Sequence, residues 1–266
     1  GCAFVTENTA HIITDFRYTE QATQQCEGYT VIQYETNVWD SLIDILNEYH
    51  IHSGVIGIEG KDMPVDTYEL LCDALDEHFD FTSINLQELR AVKRPDELVL
   101  MRKAANIADE AFRVLLTKLK PGMSENEARI ILESEMLMRG STEPSFATIV
   151  ASGHRSSMPH GVASDKIIEA GDFVTFDFGA VYGGYHSDMT RTVVMGPASD
   201  LQKKLYDIVL RAQLKGVEAV RPGLSGVDLD KICRDSIAAD GYGDCFNHGL
   251  GHGVGLDIHE LLVASP

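Results

Sequence analysis

Apolar residues in the opening third of the chain switch repeatedly between a two-residue and a three-to-four-residue period. CAFV and HIITDF alternate apolar and polar side chains around Thr6-Glu7-Asn8-Thr9, which predicts a hairpin. YTVIQY and GVIGIEG predict two further short strands, while VWDSLIDILNEY and VDTYELLCDAL carry helical spacing. This alternation predicts a small α/β domain over residues 1–92, entered at a strand, so its first unit is expected to be missing. Lys93-Arg94-Pro95 marks the boundary with a second domain over residues 93–266, and the basic pair is expected to be a solvated linker. Pro95-Asp96-Glu97 then opens a long helix running to about Leu119. Proline suits the first helical position, where an N–H would have no partner, and acidic side chains favour that end of the helix dipole.

Beyond this helix the pattern repeats. Lys120-Pro121-Gly122-Met123-Ser124 is echoed by Arg221-Pro222-Gly223-Leu224-Ser225, an offset of 101 residues. Ser124 and Ser225 are placed as helix N-caps, and Ser124 with Glu127 makes a capping box. A helix, a strand (FATIVA) and the hairpin DFVTFDFGAVYGGYHSDMTRTVVM, residues 172–195, follow the first copy. A helix and the segment HGLGHGVGLDIHE, residues 248–260, follow the second. Asp177 lies 56 residues past Pro121, and the same step from Pro222 reaches 278, so a second hairpin is expected beyond Pro266.

The hairpin carries two aspartates in β-rich arms that flank Tyr182-Gly183-Gly184, a good turn signal. A turn centred near Tyr182-Gly183 sets Asp177 and Asp188 directly opposite each other, with Cβ atoms about 5 Å apart. A turn shifted by one residue makes them diagonal neighbours. Aspartate is poor in strands and like charges across a ladder destabilise it, so a cation is expected between them. Arg191 is one candidate, but three residues past Asp188 it points to the other face. Divalent metal ions about 3.5–4 Å apart, bridged by the two carboxylates, are the stronger reading.

The glycines of residues 248–260 disfavour a helix, since each costs roughly 1 kcal/mol relative to alanine. They also fail the G-x-G-x-x-G pattern, and His259-Glu260 is not followed by the second histidine of H-E-x-x-H. An extended segment puts His248, Leu250, His252 and Val254 on one face and bare glycine on the other, where another backbone or a ligand can approach. His248 and His252 then lie roughly 13 Å apart along a strand, so only one of them can bind a given ion. A glycine-rich loop with incidental histidines is the competing reading. Carboxylates with one imidazole favour Mn, Fe, Co or Zn over a thiolate-type structural zinc.

Composition narrows the partners. With 266 residues, 44% of them hydrophobic, the chain can bury a sizeable core. A formal charge of -19 argues against nucleic acid and against an anionic membrane surface. No apolar run approaches the roughly 20 residues of a membrane span. Five scattered cysteines without C-x-x-C pairing predict free thiols in a reducing compartment and hence a cytoplasmic protein. The chain opens at Gly1 without a methionine, so its true start, and any signal sequence, is expected upstream.

Five segments carry a resemblance: ITDFRYTEQA, LRAVKRPDELVLMRKAANIADEAF, SSMPHGVASDK, DFVTFDFGAVYGGYHSDMTRT and HGLGHGVGLDIHE. In this order, over nearly the whole chain, they resemble the pita-bread metallopeptidases of the Xaa-Pro aminopeptidase and prolidase branch. The resemblance implies an α+β catalytic domain of two pseudo-symmetric halves behind the small N-terminal domain, assembled as a homodimer. It implies two divalent ions, Mn foremost, with Co, Zn or Fe as alternatives. Asp177 would be a bidentate ligand of one ion, Asp188 would bridge both, and His252 would bind the second. His160 would reach the substrate from a loop, while His248 and His259 would line the proline pocket and stabilise or shuttle protons at the tetrahedral intermediate. The implied activity is hydrolysis of the Xaa-Pro bond, at a peptide N-terminus or in a dipeptide, by a hydroxide bridging the two ions.

The family completes its site with two glutamates on a later hairpin, which are expected beyond Pro266. This 266-residue piece, truncated at both ends, is therefore expected to be inactive by itself. Glu260 does not replace the missing ligands; beside His259 but on the opposite strand face, it is expected to be an ion-pair partner. The remaining histidines, His11, His50, His52 and His78, are expected at the surface or in packing, and His154 and His186 lie near the site in sequence. Two competing functions are a non-catalytic peptide- or protein-binding protein on the same fold and a methionine aminopeptidase.

Overall fold

In the computed structural model, residues 1–75 and 78–266 are described, and they divide into two compact units, Gly1–Leu86 and Gln87–Pro266. In the first unit, β1 (Cys2–Val5) and β2 (Ala10–Thr14) form the predicted hairpin. Helix α1 (Thr19–Gln25) leads to β3 (Thr30–Gln33), which lies parallel to β2. Helix α2 (Val38–Glu48) starts at Asn37, whose side chain accepts from the amides of Trp39 and Asp40. Strand β4 (Gly54–Ile58), helix α3 (Val65–Leu75) and β5 (Phe79–Ser83) make a parallel pair with its crossover helix. Helix α1 and strand β5 carry too weak a period to be read from the sequence. Ile13, Leu42, Ile45, Leu46, Leu71 and Leu75 form the core of this unit.

The second unit opens with α4 (Gln87–Ala91) and α5 (Pro95–Lys118), which begins where predicted, the Glu97 carboxylate accepting from the Arg94 amide at 2.6 Å. Helix α6 (Glu125–Met138) packs against α5 and has the predicted capping box, with Ser124 and Glu127 bonded both ways at 3.0 and 2.7 Å. Strands β6 (Ile149–Ser152), β7 (Phe173–Phe178) and β10 (Met189–Val194) form an antiparallel sheet in the order β10-β7-β6. Short strands β8 (Val181–Tyr182) and β9 (Tyr185–His186) extend the hairpin to its turn. Helices α7 (Asp200–Ala219) and α8 (Gly226–Ala239) pair as α5 and α6 do, with Ser225 capping α8 at 3.1 Å. The starts of α6 and α8, at 125 and 226, keep the 101-residue offset of the sequence repeat. Strands β11 (Gly251–Gly253) and β12 (Glu260–Ala264) close the chain. Among the described residues no helix is long and apolar enough to cross a membrane.

Alternation along β7 decides where the core and the site lie. Val174, Phe176 and Phe178 are fully buried and pack against Ala108, Phe112 and Leu115 of α5 and Leu132 and Met136 of α6. The Phe112 ring sits 5.4 Å from those of both Phe176 and Phe178. Burying one such side chain contributes roughly 1.5–3 kcal/mol, so the even-numbered face is committed to the helices. Thr175 and Asp177 are consequently turned to the opposite face.

Two expectations are corrected. Ahead of Glu260, which opens β12, the histidine segment is strand only over Gly251–Gly253, because β12 pairs with it there and the ladder is broken by a shift between Gly251 and Gly253. Lys93 is not solvated: it is largely buried, with its ammonium 2.5 Å from the buried Glu260 carboxylate, while Arg94 alone is exposed.

Candidate functional site

The hairpin turns at Gly183-Gly184, one residue later than the register that opposes the aspartates. Asp177 is therefore paired with Thr190 and Phe178 with Met189, and Asp188 falls on the diagonal from Asp177, the second of the two registers considered. The Thr190 hydroxyl donates to Asp177 Oδ1 at 3.0 Å. Between the strands the ladder opens at Gly179, whose backbone lies so close to Ser187 that a Cβ there would meet the Ser187 carbonyl oxygen at 1.8 Å. Only glycine fits, and the close approach carries Asp188 out of regular pairing. Arg191 reaches Asp109, 3.7 Å away, so it does not neutralise the pair. Burial pushes the Asp177 carboxyl above its usual range, with Asp188 adding repulsion. The Thr190 hydroxyl and the charges of His160 and His252 act in the opposite direction.

The histidine segment supplies the facing groups. Its glycines lie against β12, as a bare face allows: a Cβ on Gly253 would meet the Leu261 carbonyl at 2.2 Å, and one on Gly249 would meet Ser265 Cβ at 2.8 Å. This presses the backbones together and turns the imidazoles outward. His252 Nε2 lies 3.4 Å from Asp188 Oδ2, and its ring centroid is 4.1 Å from that of His259. His252 Nδ1 lies 2.9 Å from the Gly253 carbonyl, which can only accept, so the proton sits on Nδ1. In the neutral ring, Nε2 then presents a lone pair to a carboxylate oxygen, and two acceptors face each other. A proton or a cation resolves that. Two donors about 2.1 Å from a shared ion are about 3–3.4 Å apart, so the donor chemistry of Asp188 and His252 fits a divalent ion. Among the described residues no three His, Cys, Asp or Glu side chains converge tightly enough to hold an ion by themselves. Asp177, Asp188 and His252 are thus an open donor set rather than a closed cage.

His160 sits on the loop that leaves β6 at Ser152 and returns at Ser164. It lies near enough for its charge to act on Asp177. His248 stands apart from this group, its ring edge-on to Phe246 at a 4.8 Å centroid distance and its Nδ1 2.8 Å from the Gly249 carbonyl. Of the residues singled out in the sequence, Asp188, His252 and His259 lie together with Asp177 on the diagonal from Asp188, and His160 is near enough to act on Asp177, while His248 stands beside Phe246.

Three further groups hold these segments in place, and of them only Glu260 is foreshadowed in the sequence. Glu125, fully buried at the start of α6, accepts from Ser152 N and Oγ at 2.8 and 2.9 Å and from Ser164 N and Oγ at 3.1 and 2.7 Å. It also accepts from Arg155 Nε at 3.1 Å, so one carboxylate ties both feet of the His160 loop. Glu260, as expected, is an ion-pair partner; besides Lys93 it accepts from the Leu256 and Asp257 amides at 3.0 and 3.3 Å, fixing the bend between β11 and β12. The third group is the Asp230–Arg234 pair of α8. Its i,i+4 spacing is visible in the sequence; its burial is not.

An α/β unit followed by paired helices, a carboxylate hairpin and a histidine segment defines a metallohydrolase class of domain. Comparison with known proteins is specific. Residues 99–266 match the family described as "Metallopeptidase family M24", and residues 1–92 match the "Creatinase/Prolidase N-terminal domain". The chain belongs to metallopeptidase family M24 and has its pita-bread catalytic fold. It is 44% identical over 261 residues to the uncharacterized peptidase YqhT of Bacillus subtilis, covering 98% of this chain and 73% of that protein. It is 49% identical over 175 residues to the Xaa-Pro dipeptidase of Pyrococcus furiosus, covering 66% of this chain and half of that protein's length (50%). Among solved structures, an Xaa-Pro dipeptidase from Bacillus anthracis superposes with a TM-score of 0.92 at 42% identity, over 99% of this chain and 74% of that one.

Proposed function

We propose that the protein is a metal-dependent exopeptidase that hydrolyses the Xaa-Pro bond at the N-terminus of peptides or in dipeptides. The observation that carries this reading is the approach of His252 Nε2 to Asp188 Oδ2 at 3.4 Å, beside a half-buried Asp177 that has no ion-pair partner among the described residues. The names of its relatives supply the substrate class. Asp177, Asp188 and His252 would hold two divalent ions, Mn foremost, with Co, Zn or Fe as alternatives. Such ions supply an activated water and polarise the peptide carbonyl.

The chain's own groups do the rest. Thr190 holds one oxygen of Asp177 and leaves the other free, and the Gly253 carbonyl keeps the His252 proton on Nδ1. His160 and His259 would donate to oxygen charge developing on the scissile carbonyl and carry a proton to the leaving amine. His248, edge-on to Phe246, would line the pocket for the proline ring. The five free thiols fit a cytoplasmic setting, and assembly as a homodimer belongs to the same reading.

The test is hydrolysis of a proline-containing dipeptide and tripeptide after chelation and after readdition of Mn, in a protein extended to the length of its relatives. Cleavage only with metal present is expected. Activity that persists in chelator defeats the mechanism, and activity on methionyl peptides alone reassigns the protein to methionine aminopeptidase chemistry.

A further inference from the structure

The histidine segment is held on its glycine face by β12, but β12 pairs with it only from Gly251 onward. Residues 246–250 pass instead along α8. There Asp230, 1% exposed, and Arg234, one helical turn later, form an ion pair through Nε–Oδ2 at 2.7 Å and Nη2–Oδ1 at 3.0 Å. The remaining capacity of both groups goes to the backbone of this segment. Arg234 Nη1 donates to the Phe246 carbonyl, Arg234 Nη2 donates to the His248 carbonyl at 2.8 Å, and Asp230 Oδ1 accepts from the Leu250 amide at 3.0 Å. Residues 246–250 are not in a strand, and the chain bends at His248 and Leu250, so these backbone groups take their partners from α8 rather than from a ladder. The guanidinium also lies over the Phe246 ring at 4.3 Å, and that ring sits edge-on to His248 at 4.8 Å. One side chain thus grips His248 through its backbone and, by way of Phe246, through its ring.

We propose that the Asp230–Arg234 pair fixes the backbone of residues 246–250 and with it the ring orientation of His248, making Arg234 a positioning residue for the substrate pocket. An isolated i,i+4 pair on an exposed helix contributes too little to account for a carboxylate this deeply buried. Its three backbone bonds and the stacked ring do account for it. The functional half of the proposal rests on the placing of His248 against substrate.

The test uses Arg234→Met, which keeps the stem but loses the fork, with Arg234→Lys as a second variant that keeps the charge and is read in the same way should the first fail to fold. Two readouts need no turnover: the ring-current-shifted His248 imidazole signals in the proton NMR spectrum, and hydrogen exchange at the Leu250 amide. Both are expected to change, the signals moving toward random-coil positions and the amide losing protection. Asp230→Asn retains a neutral acceptor for Leu250, so that amide is expected to keep part of its protection in this variant. Unmoved His248 signals with intact Leu250 protection in the Arg234 variants would overturn the proposal.

In the extended protein, Arg234→Met is expected to lower kcat/KM for an Xaa-Pro peptide by tenfold to on the order of a hundredfold, mainly through KM. In a His248→Ala background the same substitution is expected to have little further effect, since both act through one ring. Independent, multiplying effects would also overturn the proposal. If His248→Ala by itself leaves Xaa-Pro turnover intact, the role of His248 in the proposed function fails, while the spectroscopic and exchange readouts still judge the clamp.

Discussion

Replacing Glu125 by glutamine removes a charge from the most heavily bonded carboxylate of the second unit without changing its size. Glu125 is 0% exposed and accepts from five donors, two on Ser152, two on Ser164 and the Arg155 guanidinium. Hydrogen bonds to charged groups contribute about 1.5–3 kcal/mol each, but bonds sharing one acceptor group do not add. Glutamine would present an NH2 group to at least one of these donors and leave Arg155, whose side chain is only 22% exposed, without a counter-charge. Removing one partner of a buried pair costs about 3–5 kcal/mol. At an m-value of about 3 kcal/mol per molar, a loss of about 4 kcal/mol moves the urea midpoint down by about 1.3 M.

The assay is hydrogen exchange at the Ser152 and Ser164 amides across a urea series, supported by far-UV circular dichroism. Tryptophan fluorescence is the wrong probe, because Trp39, the single tryptophan, lies in the other unit. A midpoint shift below about 0.3 M, or about 1 kcal/mol at that m-value, with both amides still protected, would refute the reasoning. The carboxylate would then be a replaceable acceptor rather than the tie at the base of the His160 loop.

Two further predictions follow from the same geometry. The Arg234 guanidinium holds the Asp230 carboxyl below its usual range. Its stabilising contribution is therefore complete above the unfolded carboxyl pKa of about 3.9 and is lost as pH falls through the lower folded value. Leu250 amide protection should fall with acidification in that window, and Asp230→Asn should abolish the pH dependence, as measured by exchange between about pH 2 and 5. Gly179→Ala would set a Cβ 1.8 Å from the Ser187 carbonyl oxygen, forcing the hairpin arms apart. A loss of at least 1–3 kcal/mol and weaker Mn binding are expected by thermal melting and calorimetric titration; an unchanged melting temperature would show that the ladder can relax there.

The parts of this protein legible from sequence are those governed by neighbours along the chain. Ser124 and Ser225 cap their helices through bonds to residues three positions on, so composition and spacing settle them before any fold exists. The alternation of Phe173-Val174-Thr175-Phe176-Asp177-Phe178 places the aspartate opposite the buried phenylalanines whatever packs on them. The glycines at 249 and 253 announce a close approach for the same reason, since no side chain stands in the way. Tertiary structure decided what depended on distant segments. Both Tyr182-Gly183 and Gly183-Gly184 can turn, and the ladder with its break at Gly179 selects the second, which makes the aspartates diagonal. In sequence, Glu125 is an ordinary acidic residue in a helix's first turn, and Asp230–Arg234 is an ordinary i,i+4 surface pair. Lys93 reads as part of a solvated linker. Each is buried only because the chain returns to it, at Ser152 and Ser164, at Phe246 through Leu250, and at Glu260. Burial turns an inexpensive charge into a constraint, and burial is a property of segments brought together across the chain, which no local pattern of residues encodes.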